Sequence, residues 1–158
     1  MQRITGFNAI VHGDDRILIL GSMPSVKSLE DNMYYANKTN RFWPMLSNIY
    51  GFPYQTIKDK YQLLEKAHIA LWDSCHSCIR KGSMDSNIKD VIVNDIPSLL
   101  EANPSIQKIL FNGRASYQTF KRYFPEIKID MVVCPSTSAA NAKFKMEDLI
   151  SIYKEAGL

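Results

Sequence analysis

An aromatic, polar and basic segment is the part of this sequence best suited to hold a flat heterocycle. Tyr34 and Tyr35 are followed, after a short polar run, by Asn40-Arg41-Phe42-Trp43-Pro44. Rings of this kind stack on planar bases, and an amide can hold a water molecule without acting as a base. The structural alternative places Phe42 and Trp43 in the core, makes Asn40 a helix N-cap and leaves the tyrosines on the surface. Phe42 is expected in the core under both interpretations.

Four further groups of polar residues each follow a short apolar run. They are Gly21-Ser22-Met23, Asp73, Asn112-Gly113-Arg114 and Ser136-Thr137-Ser138. A glycine lets the backbone approach a ligand, a carboxylate accepts hydrogen bonds, and hydroxyls suit phosphate oxygens. Each group also has a structural interpretation, as a turn, a local cap or a cluster at a helix N-terminus. Each group can therefore be interpreted either as part of a functional site or as a purely structural feature.

The segment Cys75-His76-Ser77-Cys78 suggests metal binding or dithiol chemistry at first sight. A four-ligand site would also need Cys134 or a distant histidine, and the sequence has no second pair at zinc spacing. The turn at Gly21 lacks the glycine spacing of a dinucleotide fingerprint or a phosphate-binding P-loop. We therefore expect neither a metal nor an organic cofactor.

The elements that must position these residues alternate between strand and helix. Short apolar runs predict buried strands at 16–20, 68–72, 107–111 and 128–134. A helix is predicted to begin near Asn40 or Arg41, because of Pro44, and to stop at Gly51. Further helices are predicted over 56–66, 96–103, 115–123 and 146–156. This alternation indicates an α/β fold with a mainly parallel sheet, whose ligands bind beyond the carboxyl ends of the strands.

Composition narrows the class of protein. The 158 residues are 46% hydrophobic and 22% charged, which fits one compact domain over 1–158 and excludes intrinsic disorder. No apolar run approaches the roughly 18 to 20 residues of a membrane span, and no secretory signal is recognisable, so a cytoplasmic protein is expected. The net charge of +3 is spread along the chain, so a nucleic-acid partner would have to bind a local patch. Nothing in the pattern demands a dimer, and a monomer is expected.

Together the motifs resemble the uracil-DNA glycosylase superfamily, most closely its hypoxanthine-DNA glycosylase branch, over essentially the whole chain. The resemblance rests on Leu20-Gly21-Ser22-Met23-Pro24, Tyr34-Tyr35-Ala36 with Asn40-Arg41-Phe42-Trp43-Pro44, Ala70-Leu71-Trp72-Asp73 and Pro135-Ser136-Thr137-Ser138-Ala139-Ala140-Asn141-Ala142. It implies a three-layer α/β/α sandwich around a four-stranded parallel sheet, with no cofactor. It also implies that a damaged nucleotide is flipped out of the duplex, because its glycosidic bond cannot be reached inside the stack.

The resemblance implies a role for each residue of a base pocket. Gly21-Ser22-Met23 would line the pocket, Tyr35 would stack on the flipped base, and Asn40 would be the catalytic amide. Asp73 stands where uracil-specific relatives carry the asparagine that contacts the base edge. Hypoxanthine presents an N1–H donor beside O6, so an ionised Asp73 could accept that hydrogen.

The resemblance also places Ser136-Thr137-Ser138 against DNA, and we expect Arg114 and Lys143 to add phosphate contacts. Two departures from the family pattern bear on substrate choice. Met23 replaces an Asn or Asp of uracil and mismatch relatives, and Cys134 replaces a histidine of the classical uracil enzymes. The expected activity is therefore a monofunctional DNA glycosylase that hydrolyses the N-glycosidic bond of a deaminated base, hypoxanthine above all, in double-stranded DNA. The alternatives are a uracil or mismatch glycosylase and a catalytically silent binder of damaged DNA.

Overall fold

The computed structural model describes residues 2–158, and within them seven strands form two sheets. In chain order the strands are β1 (Arg3–Thr5), β2 (Ile17–Gly21), β3 (Ile69–Asp73), β4 (Cys75–Ile79), β5 (Lys89–Val93), β6 (Lys108–Asn112) and β7 (Asp130–Cys134). The helices are α1 (Val26–Asp31), α2 (Phe42–Tyr50), α3 (Ile57–Ala67), α4 (Ile96–Ala102), α5 (Arg114–Tyr123) and α6 (Met146–Ala156). A short 3-10 turn covers Asp85–Asn87.

The central sheet is parallel, with strand order β3-β2-β6-β7. This confirms the predicted α/β fold, and each strand begins within two residues of its predicted start. Leu18, Ile19 and Leu20 of β2 have no exposed surface, because helices cover both faces of the sheet. A parallel strand in that position is a continuous apolar run, which is why sequence patterning located it.

Alternate residues of β2 point into two separate cores. Ile19 packs with Phe42, Leu63 and Tyr153, which belong to α2, α3 and α6 on one face. Leu18 and Leu20 pack on the opposite face with residues of α4 and α5, Ile96 and Phe120 among them. Helices on both sides of a single parallel sheet make the three-layer α/β/α sandwich, as the sequence predicted.

A second sheet, β1-β4-β5, is antiparallel and was not predicted. Its middle strand β4 is the segment that had suggested metal chemistry, and Cys75 and Cys78 are both buried in it as free thiols. Within residues 2–158 no group of three or more His, Cys, Asp or Glu side chains is placed to hold a metal ion. Nor is any helix of that range long and apolar enough to cross a bilayer.

Candidate active site

The carboxyl ends of the parallel strands meet the loops that follow them around one cavity of about 570 Å³. Gly21 and Asp73 are register partners at the ends of β2 and β3, and Asn112 and Cys134 are partners at the ends of β6 and β7. The cavity is lined by nine predicted site residues, Gly21, Ser22, Met23, Tyr35, Asn40, Asp73, Ser136, Thr137 and Ser138. Residues separated widely in sequence therefore share one site.

Asn40 is oriented by a chain of hydrogen bonds that begins at the end of β6. Asn112 Nδ2 donates to Thr137 Oγ1 across 3.0 Å, and Thr137 Oγ1 donates to Asn40 Oδ1 across 2.8 Å. The backbone N–H of Phe42 also donates to Asn40 Oδ1, at 3.0 Å. Because a backbone N–H can only donate, the atom that faces it must be the amide oxygen.

The free half of the Asn40 amide is therefore its Nδ2 group. Two donors occupy Oδ1, and within residues 2–158 Nδ2 donates no hydrogen bond. Asn40 lines the cavity with this group, which can donate to a water molecule or to a ligand but cannot remove a proton. The amide can therefore position a water molecule or a ligand, and the catalytic role that the resemblance implied for Asn40 stays a prediction.

Thr137 has no exposed surface, and its hydroxyl accepts a hydrogen bond from Asn112 and donates its hydrogen to Asn40. Its backbone N–H is also bonded, to Asn112 Oδ1 at 3.0 Å. The expectation that the Thr137 side chain contacts DNA phosphates is therefore corrected, because the side chain supports Asn40 from beneath the surface. Its neighbours Ser136 and Ser138 are partly exposed at the rim.

Arg41 was interpreted from the sequence only as positive charge beside the aromatic residues. In the structure its guanidinium is a clamp on the loop that follows β7. Nε donates to the carbonyl of Thr137 at 3.2 Å, and Nη2 donates to those of Ser138 at 2.7 Å and Asn141 at 3.1 Å. Nη1 donates to the carbonyl of Phe144. Nothing in the local sequence signals carbonyl partners so distant along the chain.

Asp73 is a buried carboxyl group, 3% exposed, at the floor of the cavity. Its Oδ2 atom is fully enclosed and accepts no hydrogen bond from residues 2–158. Burial raises the pKa of Asp73 to about 7, and the negative charge of Asp85 adds to the rise while Arg80 opposes it. A buried polar group without a partner is costly, so it is a typical sign of a ligand-binding position.

Tyr35 lies beside Asp73 and contradicts the alternative that placed both tyrosines on the surface. Its ring stacks on Phe42 with centroids 4.1 Å apart and planes inclined by 27°. Tyr34 is 4% exposed and donates a hydrogen bond to the carbonyl of Asn8 at 2.8 Å. Phe42 is fully buried, as both interpretations of the sequence required.

The opposite wall of the cavity comes from the loop before β5, which the sequence did not indicate. Ser22 Oγ donates to Asp85 Oδ1 across 2.6 Å. Arg80, itself buried, donates to the carbonyls of Pro24 at 2.6 Å and Gly82 at 2.7 Å, so it holds the turn after β2 against this loop. The predicted phosphate contacts Arg114 and Lys143 are both exposed and do not line the cavity.

A buried carboxyl, an oriented amide and an aromatic wall meet at the carboxyl edge of a parallel sheet, an arrangement typical of a ligand-binding site in an α/β protein. Residues 9–156 match the family model described as the uracil DNA glycosylase superfamily, and the chain belongs to that superfamily. It is 36% identical over 141 residues to a protein named hypoxanthine DNA glycosylase from Methanosarcina acetivorans, covering 88% of this chain and 89% of the relative. A second protein of that name, from Methanosarcina barkeri, is 31% identical over 140 residues, covering 87% and 88%.

A solved structure is similar over almost the entire fold. The solution NMR structure of a candidate uracil DNA glycosylase from Methanosarcina acetivorans superposes with a TM-score of 0.83 at 30% identity. The similarity covers 99% of this chain and 100% of that one. These findings support a DNA glycosylase activity for the protein.

Proposed function

We propose that this protein releases hypoxanthine from deoxyinosine in double-stranded DNA and leaves an abasic site. The observation that carries the proposal is Asp73, a buried carboxyl group on the floor of the cavity whose Oδ2 has no hydrogen-bond partner among residues 2–158. The names of the two Methanosarcina relatives support the same substrate. The enzyme would act as a cytoplasmic monomer, on a nucleotide that has been flipped out of the duplex.

Asp73 gives the cavity a chemical preference for the deaminated base. Ionised Asp73 can accept the N1–H of hypoxanthine, and this bond would supply the partner that the folded protein lacks. Adenine has a lone pair at N1 instead of a hydrogen, so the same carboxylate would repel it. The difference in binding free energy between hypoxanthine and adenine is larger in this buried site than it would be in water. An unpaired polar group there cannot form a replacement hydrogen bond with solvent.

Asn40 supports the hydrolysis by holding the attacking water molecule or the substrate in place. When the N-glycosidic bond breaks, its electron pair leaves with the base, and the sugar develops positive charge that a water molecule then attacks through its oxygen. Asn40 Nδ2 donates to that water or to the substrate and fixes its place, while the proton of the water passes to solvent. Met23, which also lines the cavity, offers no group that could activate water.

Ser136 and Ser138 provide hydroxyls at the rim for the phosphates on either side of the flipped nucleotide. Arg114 and Lys143 lie outside the cavity on the exposed surface, where a DNA backbone could contact them. The mechanism uses no metal and no organic cofactor. It also uses no nucleophilic lysine, so the enzyme would be monofunctional.

The test is excision from duplexes that contain one deoxyinosine, one deoxyuridine or no lesion. The abasic product is converted to a strand break with alkali, and the expected result is breaks at inosine that disappear in Asn40→Ala. Asn48→Ala is the matched control, because Asn48 is exposed on the neighbouring helix α2. Breaks that appear without alkali would contradict the monofunctional assignment.

The second candidate function is binding of damaged DNA without catalysis, and Met23 in the cavity wall is the observation that favours it. It predicts salt-dependent binding of the inosine duplex with no base release, since phosphate contacts alone give affinity. Uracil released faster than hypoxanthine would instead contradict the proposed substrate and leave the glycosylase class intact.

A further inference from the structure

Two buried polar groups that have an atom without a hydrogen-bond partner among residues 2–158 both lie beside Gly21 at the floor of the cavity. A Cβ built on Gly21 would lie 2.5 Å from Asp73 Oδ1 and 2.8 Å from the hydroxyl oxygen of Tyr35. The Tyr35 hydroxyl is buried and makes no hydrogen bond with residues 2–158, and neither does Asp73 Oδ2. Buried polar atoms without partners are rare in folded proteins, and two in one place call for a common explanation.

The backbone around Tyr35 is arranged to direct this hydroxyl inward. Tyr35 has φ +51°, in the left-handed region that a residue with a side chain rarely adopts. Both neighbours are held in place: Tyr34 O accepts from Trp43 Nε1 at 2.8 Å, and Ala36 N donates to Ser28 Oγ at 3.1 Å. Local strain of this kind persists where the surrounding structure imposes it, and it clusters at ligand sites.

The ring of Tyr35 is fixed as firmly as its backbone. Phe42 covers one face of it in a stacked arrangement, and Phe42 is itself fully buried. The hydroxyl therefore has a defined direction, toward the floor that Gly21 leaves open. Burial raises the pKa of Tyr35 well above its usual value and the nearby charge of Asp73 adds to the rise, while the neighbouring Asn112 side chain opposes it, so the hydroxyl keeps its hydrogen and acts as a donor.

We infer that Tyr35 and Asp73 form a donor and acceptor pair that recognises the lactam edge of a deaminated base. This inference rests on the proposed function and deepens it. The Tyr35 hydroxyl donates to the exocyclic oxygen, O6 of hypoxanthine, while the Asp73 carboxylate accepts the adjacent N1–H. Tyr35 is then a specificity residue through its hydroxyl, beyond the stacking ring that the sequence resemblance implied.

The pair defines a substrate class by chemistry. Deamination of adenine replaces an N1 lone pair and an amino group by an N–H and a carbonyl oxygen, and deamination of cytosine makes the same change in uracil. Gly21 is required for this recognition, because any side chain there would occupy the space between the two groups. Guanine also has an N1–H beside O6, so the pair cannot distinguish it from hypoxanthine. Its exclusion depends on the free energy needed to flip a correctly paired guanine out of the duplex.

The first experiment compares wild type with Tyr35→Phe, which keeps the ring and removes the hydroxyl. The single-turnover rate on deoxyinosine is expected to fall about tenfold, as for loss of one buried hydrogen bond to the substrate. The melting temperature is expected to stay level or rise, because the variant removes an unpartnered buried hydroxyl. Tyr117→Phe on α5 is the matched control. A lower melting temperature with an unchanged rate would overturn the inference, since it would indicate a structural hydroxyl.

A modified base isolates the contact to the exocyclic atom. In 6-thiohypoxanthine the acceptor at position 6 is a weaker one, while N1–H is retained. Wild type is expected to excise it more slowly than hypoxanthine, whereas Tyr35→Phe is expected to distinguish the two bases less. An equal preference in both proteins would overturn the assignment of Tyr35 to this atom.

A binding measurement separates this inference from the proposed catalysis. In an Asn40→Ala background, the ratio of Kd values for adenine and inosine duplexes reports base recognition without excision. Tyr35→Phe is expected to lower this ratio about tenfold. If wild type excises no base but the ratio still falls, the recognition pair stands and the proposed activity fails. If wild type excises hypoxanthine and the ratio does not change, the activity stands and the pair is wrong.

Discussion

Thr137 Oγ1 donates a hydrogen bond to Asn40 Oδ1 across 2.8 Å, which joins two motifs that lie 97 positions apart in the chain. Asn40 precedes α2, and Thr137 lies in the loop after β7. The bond has a chemical consequence for the candidate catalytic amide, because it occupies the amide oxygen and leaves Nδ2 as the group that is available to donate in the cavity. The orientation of Asn40 therefore depends on a residue that has no contact with solvent.

Thr137→Val tests this dependence, because valine has nearly the shape of threonine and lacks the hydroxyl. The excision rate is expected to fall about 10- to 100-fold, since a small displacement of a positioning group has effects of that size. Stability should fall by about 1–3 kcal/mol, as Asn112 and Asn40 each lose a partner. Single-turnover kinetics and thermal melting measure the two effects. Thr119→Val on α5 serves as control, and a wild-type rate for Thr137→Val would refute the dependence.

Gly21→Ala should disable base recognition while the fold persists. The added Cβ would lie 2.5 Å from Asp73 Oδ1 and 2.8 Å from the Tyr35 hydroxyl, both closer than side-chain carbons approach oxygen. The two groups must move apart, so we expect excision of hypoxanthine to fall by about 100-fold or more. Gly13→Ala is the comparison, because its added Cβ meets no atom within 4 Å and its φ of +88° makes it a test of backbone strain away from the cavity. Normal kinetics in Gly21→Ala would show that the cavity floor does not contact the base.

Much of the central sheet could be predicted because its strands are buried on both faces. β2 has three consecutive residues with no exposed surface, and such a run is recognisable without knowing its partners. The start and end of α2 could also be predicted from the sequence. Pro44 fits only the first turn of a helix, and Gly51 has φ +77° at the C-cap. Local signals of this kind do not depend on the rest of the fold.

The second sheet and the clamp by Arg41 could not be predicted because their partners are distant in sequence. β4 follows β3 after a single residue, Ser74, and its pairing with β1 and β5 breaks the simple alternation of strand and helix. Arg41 bonds to carbonyls about a hundred positions further on. Every residue has a backbone carbonyl, so the amino-acid sequence does not indicate which carbonyls Arg41 contacts. Only the folded structure reveals such a contact.

The ionisation of Asp73 should make the activity depend on pH. Its pKa is raised to about 7 by burial, so the carboxylate is progressively lost as the pH falls below 7. For a carboxylate that accepts N1–H, kcat/KM on deoxyinosine should decline below that pH, approaching about tenfold per pH unit. In Asp73→Asn this decline should disappear and the base preference should shift, because the amide does not titrate. A flat profile in wild type would exclude an ionised Asp73 as acceptor.

Asp73 should also make the stability of the protein depend on pH. Stability should fall as the pH rises, whereas activity should fall as the pH drops. A raised pKa means that the folded protein binds the proton more tightly than the unfolded chain, whose value is near 3.8. The stabilising effect of that proton is complete below about pH 4 and is lost as the pH rises through 7, by an amount on the order of 4 kcal/mol. Denaturant titrations between pH 5 and 8 should show wild type losing stability relative to Asp73→Asn. Parallel curves for the two proteins would contradict the raised pKa.

Arg114 and Lys143 are exposed outside the cavity, where phosphate contacts would add affinity without base specificity. If each neutralises one phosphate, its change to alanine should lower the slope of log Kd against log salt by about 1. Affinity should weaken equally for inosine and undamaged duplexes. Arg122→Ala, at the far end of α5 from Arg114, is the control. An unchanged slope would remove the corresponding residue from the DNA interface.

Arg41→Lys keeps the positive charge and removes the planar guanidinium that contacts four carbonyls of the loop after β7. A lysine ammonium cannot span this set, so we expect the loop to lose its defined conformation while the net charge is unchanged. Amide hydrogen exchange over residues 137–144 should accelerate at least about tenfold, and excision should fall because Thr137 no longer holds Asn40 in place. Lys38→Arg is a charge-conserving control on the exposed segment before Asn40. If exchange stayed slow but activity were lost, Arg41 would have to act on the substrate directly, and the clamp would be the wrong account of its role.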